Sequence, residues 1–256
     1  MQLDFLAETG HRPYALPEGR YTMQQTWCDL LFAHWACAPE ALRPFVPKGL
    51  ELDLFDGRAW LGVVPFHMTG IRHRLFPGVP GLSAFGELNV RTYVVRDGKP
   101  GVWFVSLDAA SAVAVEVARR WFHLPYFRAD IAWTHDGDDV VYRSVRDDGR
   151  GLAVSLEGRY GPTGPVLEPA APGSLAYWLT ERYCLYARSG DGRIHRGDIH
   201  HRPWPLQPAK ASLSTNTMGR QVGLELDGEP DSLLFARRID TVVWGLKEVG
   251  AEGESP

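Results

Sequence analysis

Lysine is scarce in this chain. Four occur in 256 residues, at positions 48, 99, 210 and 247, against 23 arginines. Imine chemistry on a carbonyl substrate needs a lysine in a pocket, and these four fall in turn-like loops, after a proline-rich stretch, or near the end. Cysteine is scarcer still: Cys28, Cys37 and Cys184 are an odd set without a CxxC pair. That excludes a disulfide framework and points to a reducing, cytoplasmic setting. No run approaches the roughly 18 apolar residues of a membrane helix. The opening "MQLDFLAETGHRPYALPEGR" has acids and a proline where a signal peptide has a basic start and an apolar core. With a formal net charge of -4 and scattered basic residues, no nucleic-acid surface is expected. GxGxxG after a strand, a Walker loop, GxSxG and HExxH are all missing, so neither a cofactor nor a metal is expected.

What is present is aromatic and strand-like. Nine Trp, nine Tyr and eleven Phe exceed what a surface needs, so several are expected in core or pocket walls. Without repeats or a long linker, residues 1–256 are read as one domain, with an irregular arm over 1–20 and a flexible tail over 247–256. Asp56-Gly57 and Asp97-Gly98 mark tight turns between strands. Asp108 is read as the cap of a helix over 109–123, the one long helix, with Ala110, Val113, Ala114, Val117, Ala118 and Trp121 on one apolar face. Strands are expected near 128–134, 138–146, 151–160, 182–187, 193–201 and 232–246, and a short helix at 174–181. Many antiparallel strands with one main helix make an α+β protein dominated by a curled sheet or barrel.

The segment "ELNVRTYV" (87–94) alternates. Leu88, Val90, Thr92 and Val94 share one face; Glu87, Asn89, Arg91 and Tyr93 share the other. A polar row of this kind is either the wet face of a half-buried strand or the lining of a polar hollow. In a hollow, Arg91 would pair a carboxylate in two-pronged fashion, with Asn89 beside it. His34, within "LFAHWA", is a satisfied core histidine or a pocket acid/base. His195, His200 and His201 lack metal-site spacing, and His200 and His201 point to opposite faces of an extended strand.

"WCDLLFAHW", "LPYFRADI", "ELNVRTYV", "KPGVWFVSLDA", "TERYCLY" and "IHHRPWPL" resemble the signature stretches of a bacterial family known as domain of unknown function 2071. The resemblance runs over about 22–245. That family is similar in turn to acetoacetate decarboxylase, which implies an antiparallel β-cone or barrel around an apolar pocket. The decarboxylase carries G-x-P-K-K where this chain has Pro125-Tyr126-Phe127, so the Schiff-base lysine and the neighbour that tunes it are replaced. The resemblance places Glu87 at a pocket glutamate and leaves Cys28 near the family's substrate-binding arginine. Arg91 is then the stand-in.

The function this implies is cofactor-free acid/base chemistry on a small, anionic organic (keto) acid, without Schiff-base decarboxylation. Glu87, Tyr126 and His34 are the expected catalytic residues, and Asn89, Arg91, Phe127 and Trp35 the substrate contacts. A non-catalytic ligand-binding protein and a structural or partner-binding protein are the alternatives, and under all three readings a homo-oligomer is left open.

Overall fold

The computed structural model describes residues 3–75 and 84–251. The elements run β1 (Met23–Cys37), α1 (Pro39–Leu42), β2 (Glu51–Leu52), β3 (Ala59–His73), β4 (Phe85–Arg96), β5 (Lys99–Ala109), α2 (Ala112–Phe122), β6 (Tyr126–Asp136), β7 (Asp139–Arg146) and β8 (Val154–Pro162). They continue with α3 (Leu175–Thr180), β9 (Cys184–Arg188), β10 (Arg193–His200), β11 (Leu206–Asn216), β12 (Ser232–Val243) and β13 (Lys247–Ala251). The chain is mostly sheet with few, short helices, of which α2 is the longest described. No described helix is long and apolar enough to cross a membrane.

Local chemistry accounts for the turns. Asp56-Gly57 and Asp97-Gly98 all take positive φ, the backbone of a two-residue hairpin turn. Arg96 accordingly pairs with Lys99. Ser111 and Ser174 accept backbone N–H bonds at the starts of α2 and α3. Asp108 is not the cap that the sequence suggests: it lies inside β5, fully buried, in an ion pair with Arg146 at 2.6 Å. The expected tail is also partly ordered, since Lys247–Ala251 forms β13 on β10; 252–256 and residues 1 and 2 of the arm lie outside the described residues.

The pairings return on themselves. From β4 they run through β3, β1, β12, β11, β8, β7, β6 and β5, and β5 pairs with β4 again. A second path leaves the same wall: β12 pairs β10, β10 pairs β9, and β9 pairs β5. Strand β5 is where the antiparallel expectation fails, because it runs parallel to both β6 and β9. A parallel neighbour requires a crossover, and α2 supplies it between β5 and β6.

The shared wall β12–β1–β3–β4–β5 therefore has two buried faces. Leu88 and Val90 of β4 join Leu31, Leu61, Tyr142 and Phe235 in one packed core. The opposite face of the wall packs Leu30, Phe32, Phe66 and Trp204 around a cavity.

Bulges decide which side chains reach that cavity. Met23, Gln25 and Trp27 of β1 line it, but so does Leu30. The parity changes at Asp29, a left-handed residue at φ 54°, where the β1–β3 register shifts. Arg237 and His135 bond its carboxylate at 2.5 and 2.8 Å, and the Tyr160 hydroxyl donates to its carbonyl at 3.0 Å. Val64, Phe66 and Met68 of β3 give way to Ile71 past Gly70 at φ 61°. In β5, Val102 and Phe104 give way to Leu107 where the register to β4 slips by one.

Candidate functional site

The cavity measures about 280 Å³ and is lined largely by apolar side chains. Its polar row is the alternating face of β4: Glu87, Asn89 and Arg91 all line it. Tyr126, the first residue of β6, enters from beside β5, where it sits opposite Leu107. Helix α2 contributes Ala114, Val117, Ala118 and Phe122. This face is rotated from the expected one, and Trp121 is 69% exposed.

Glu87 is the buried carboxyl of this row. It is 3% exposed, and the Tyr126 hydroxyl donates to its Oε2 at 2.7 Å. Burial pushes its carboxyl up to about 8, against the opposing pull of the Tyr126 bond and with added help from buried Asp108. At neutral pH the group is therefore mainly protonated. Since Oε2 accepts from Tyr126, the proton belongs on Oε1. Burial and the adjoining Glu87 hold the Tyr126 phenol well above its ordinary range, so it stays a donor.

Arg91 supplies a positive charge to the same row. Among the described residues it has no carboxylate partner, and its Nε has no hydrogen bond. Its guanidinium lies 5.3 Å from the centre of the Phe32 ring and 5.8 Å from that of Tyr93. Asn89 is buried with Oδ1 unpartnered. Arg182, which sequence reasoning passed over, also lines the cavity. It bonds Asp53 at 2.5 Å and the Trp178 carbonyl at 2.6 Å, and keeps Nη2 without a partner. Arg91 and Arg182 both pack on the Tyr93 ring, the latter at 4.8 Å. "TERYCLY" is the only signal that could have pointed to it.

Three expected residues do not line the cavity. His34 lies on the cavity side of β1 but behind Arg91. Its Nε2 donates to the Tyr93 hydroxyl at 2.7 Å, which itself donates to the Leu179 carbonyl at 2.8 Å. Burial, reinforced by Arg91, drives the His34 ring far below its ordinary value, so it is neutral. Gly62 makes room for both: a Cβ there would lie 2.8 Å from His34 Nε2 and 3.3 Å from Arg91 Cγ. Trp35 packs into the other core because the Asp29 bulge reverses the parity between it and Trp27. Phe127, next to Tyr126, points to the opposite face of β6 and lies 4.2 Å beneath the Arg146 guanidinium.

No lysine lines the cavity, and no group of His, Cys, Asp and Glu among the described residues could hold a metal ion.

Residues 24–240 match the profile of domain of unknown function 2071, described as an uncharacterized conserved protein. The uncharacterized protein YqjF of Bacillus subtilis (strain 168) is 43% identical over 236 residues, covering 91% of this chain and 95% of that protein. The fold is similar to an acetoacetate decarboxylase-like enzyme from Sphingomonas wittichii RW1, with TM-score 0.61, 12% identity, and 94% of this chain and 99% of that one covered. Acetoacetate decarboxylase from Legionella pneumophila gives TM-score 0.61 at 12% identity, with 96% of each chain covered. The enduracididine biosynthesis enzyme MppR complexed with pyruvate gives 0.57 at 14% identity, covering 92% of this chain and 96% of that one. At these identities the structural likeness is one of fold. The family profile and the relative together settle the kinship: this chain belongs to the domain of unknown function 2071 family.

Proposed function

We propose that the closed ring of strands is a β-barrel that holds a small organic acid, and that Glu87 moves a proton on it without a cofactor and without a Schiff base. The observation that carries this reading is one buried carboxyl, raised to about 8 and bonded by Tyr126, sharing a cavity with a guanidinium that lacks a carboxylate partner. A guanidinium without a carboxylate partner in an apolar hollow favours an anion, and a carboxylate matches its forked donors. Glu87 begins protonated and gives its Oε1 proton to a carbonyl oxygen; returned as a base, it takes a proton from the adjacent carbon. Asn89 Oδ1, an acceptor without a partner, takes the hydroxyl hydrogen of the enol that this proton transfer forms. Tyr126 holds Glu87 Oε2 and steadies the carboxylate form when it appears. His34 acts through Tyr93, behind Arg91, rather than on the ligand. MppR, a structural neighbour, has been solved with pyruvate, which supports a 2-oxo acid as the first ligand to try.

The test uses 2-oxobutanoate in deuterium oxide. Calorimetry should show binding that weakens at least about tenfold in Arg91→Gln. Proton NMR should show deuterium entering carbon 3 faster than in buffer, and Glu87→Gln should abolish that gain while binding persists. Unchanged binding in Arg91→Gln overturns the pocket assignment. Binding with no exchange above buffer supports the second reading, a non-catalytic ligand-binding protein, which the cavity's want of a lysine favours.

A further inference from the structure

The same cavity has polar atoms that the Glu87–Arg91 row does not explain. His201 and Trp204, in the segment "HHRPWP" after β10, both line it. His201 is fully buried, and its Nδ1 donates to the Arg202 carbonyl at 2.6 Å. The remaining ring nitrogen, Nε2, is then a bare acceptor, and it has no partner. Burial drives the ring down to about 3, so it stays neutral. Trp204 Nε1 is a buried donor, also without a partner.

Both rings are held in place. His201 stacks on Tyr183 at 4.7 Å, and Trp204 packs on Phe32 at 4.9 Å. The backbone N–H of Trp204 donates to Glu181 at 2.9 Å, and Pro203 and Pro205 restrict the chain on either side. The two ring centres are 5.1 Å apart. Orphaned buried polar atoms are costly, and two on neighbouring rings that line one cavity are met together by a single ligand group that serves both.

The donor–acceptor pattern selects the group. A carboxylate would accept from Trp204 but meet the lone pair of His201. An ammonium would donate to His201 and leave Trp204 unserved. A carbonyl also serves only Trp204. A hydroxyl accepts from one and donates to the other. The Phe32 ring packs against both poles, with the Arg91 guanidinium 5.3 Å and the Trp204 ring 4.9 Å from its centre, and the cavity walls of Trp27, Leu30, Phe66 and Ile199 are apolar.

We propose that His201 and Trp204 form a hydroxyl subsite, and that the cavity's ligand is a hydroxylated carboxylic acid with an apolar body between its two polar groups. The carboxylate lies on Arg91; the hydroxyl donates to His201 Nε2 and accepts from Trp204 Nε1. This rests on the organic-acid reading of the cavity given above.

The probes are 4-hydroxybutanoate, 6-hydroxyhexanoate and 8-hydroxyoctanoate, each paired with its unsubstituted acid and titrated by calorimetry. At the length that spans the poles, the hydroxy acid should bind at least about tenfold more tightly than its partner, because the plain acid leaves both orphans unmet. His201→Phe keeps the stack on Tyr183 and removes the acceptor. In that variant the preference should vanish while the plain acid still binds at least as well as to the native protein, which also shows the cavity is intact; Trp204→Phe should act alike. His201→Gln, which restores an acceptor, should recover part of the preference. Equal binding of hydroxy and plain acids at every length overturns the subsite and leaves the organic-acid reading standing. A preference that survives in both Phe variants also overturns it. Failure of every one of these acids to bind the native protein overturns the subsite; if 2-oxobutanoate fails to bind as well, the organic-acid reading falls with it.

Discussion

Glu87 gains its chemistry from where it is buried. A carboxyl in water loses its proton near 4.5, whereas burial here moves that point to about 8. Between those values the unfolded chain has released the proton and the folded chain keeps it. Stability must then fall as pH rises through that window, and level off above about 8. Glu87→Gln cannot titrate, so melting curves should show the native protein losing ground to the variant from about pH 4.5 to pH 8. The full difference is at most roughly 5 kcal/mol, at about 1.4 kcal/mol per unit. A constant difference across that range would mean Glu87 is not held protonated. If Glu87 acts first as an acid, deuterium exchange into 2-oxobutanoate should decline above about pH 8.

At the scale of elements, the bulges and the crossover helix matter most. Each of β1, β3 and β5 changes its inward face once, and that allows Met23, Val64 and Val102 to share a cavity with Leu30, Ile71 and Leu107. Periodicity without a bulge pairs Trp27 with Trp35; one added residue at Asp29 separates them. Helix α2 exists because β5 and β6 run parallel, and its start belongs to Ser111 while Asp108 serves the core. The two roles are separable by mutation. Ser111→Ala should cost about 1 kcal/mol through the lost cap. Asp108→Asn should cost about 3–5 kcal/mol, because it leaves the Arg146 guanidinium charged and buried. Denaturant unfolding of the two variants checks this, and equal losses would refute the assignment.

At the scale of the molecule, two closed paths of strand pairing share one wall, and that wall packs a core on each of its two faces. The cavity's charge comes from arginine alone among the basic side chains, since all four lysines lie elsewhere. Borohydride reduction in the presence of acetoacetate or pyruvate should leave the intact mass of the protein unchanged; a stable adduct would restore the imine mechanism. Much of this was legible in the chain. The Asp-Gly turns, the strands, the helix near 109–123 and the alternation of 87–94 follow from local sterics and period, which act over a few residues. The family resemblance was legible too, and with it the fold. The choice for Glu87, Asn89 and Arg91 between surface and hollow was not, because it depends on β9 and β10, about a hundred residues further on, closing over β4. The places of Trp35 and Phe127 were not legible either: one bulge and the two-sided nature of a strand settled them. The unpartnered atoms of His201 and Arg182 became visible only once the ring had closed, since nothing local marks an atom as unpartnered. Sequence by itself determined the elements and the kinship, because both are properties of neighbours along the chain. Tertiary structure alone decided which polar atoms lost water without gaining partners, because burial is a property of the closed ring.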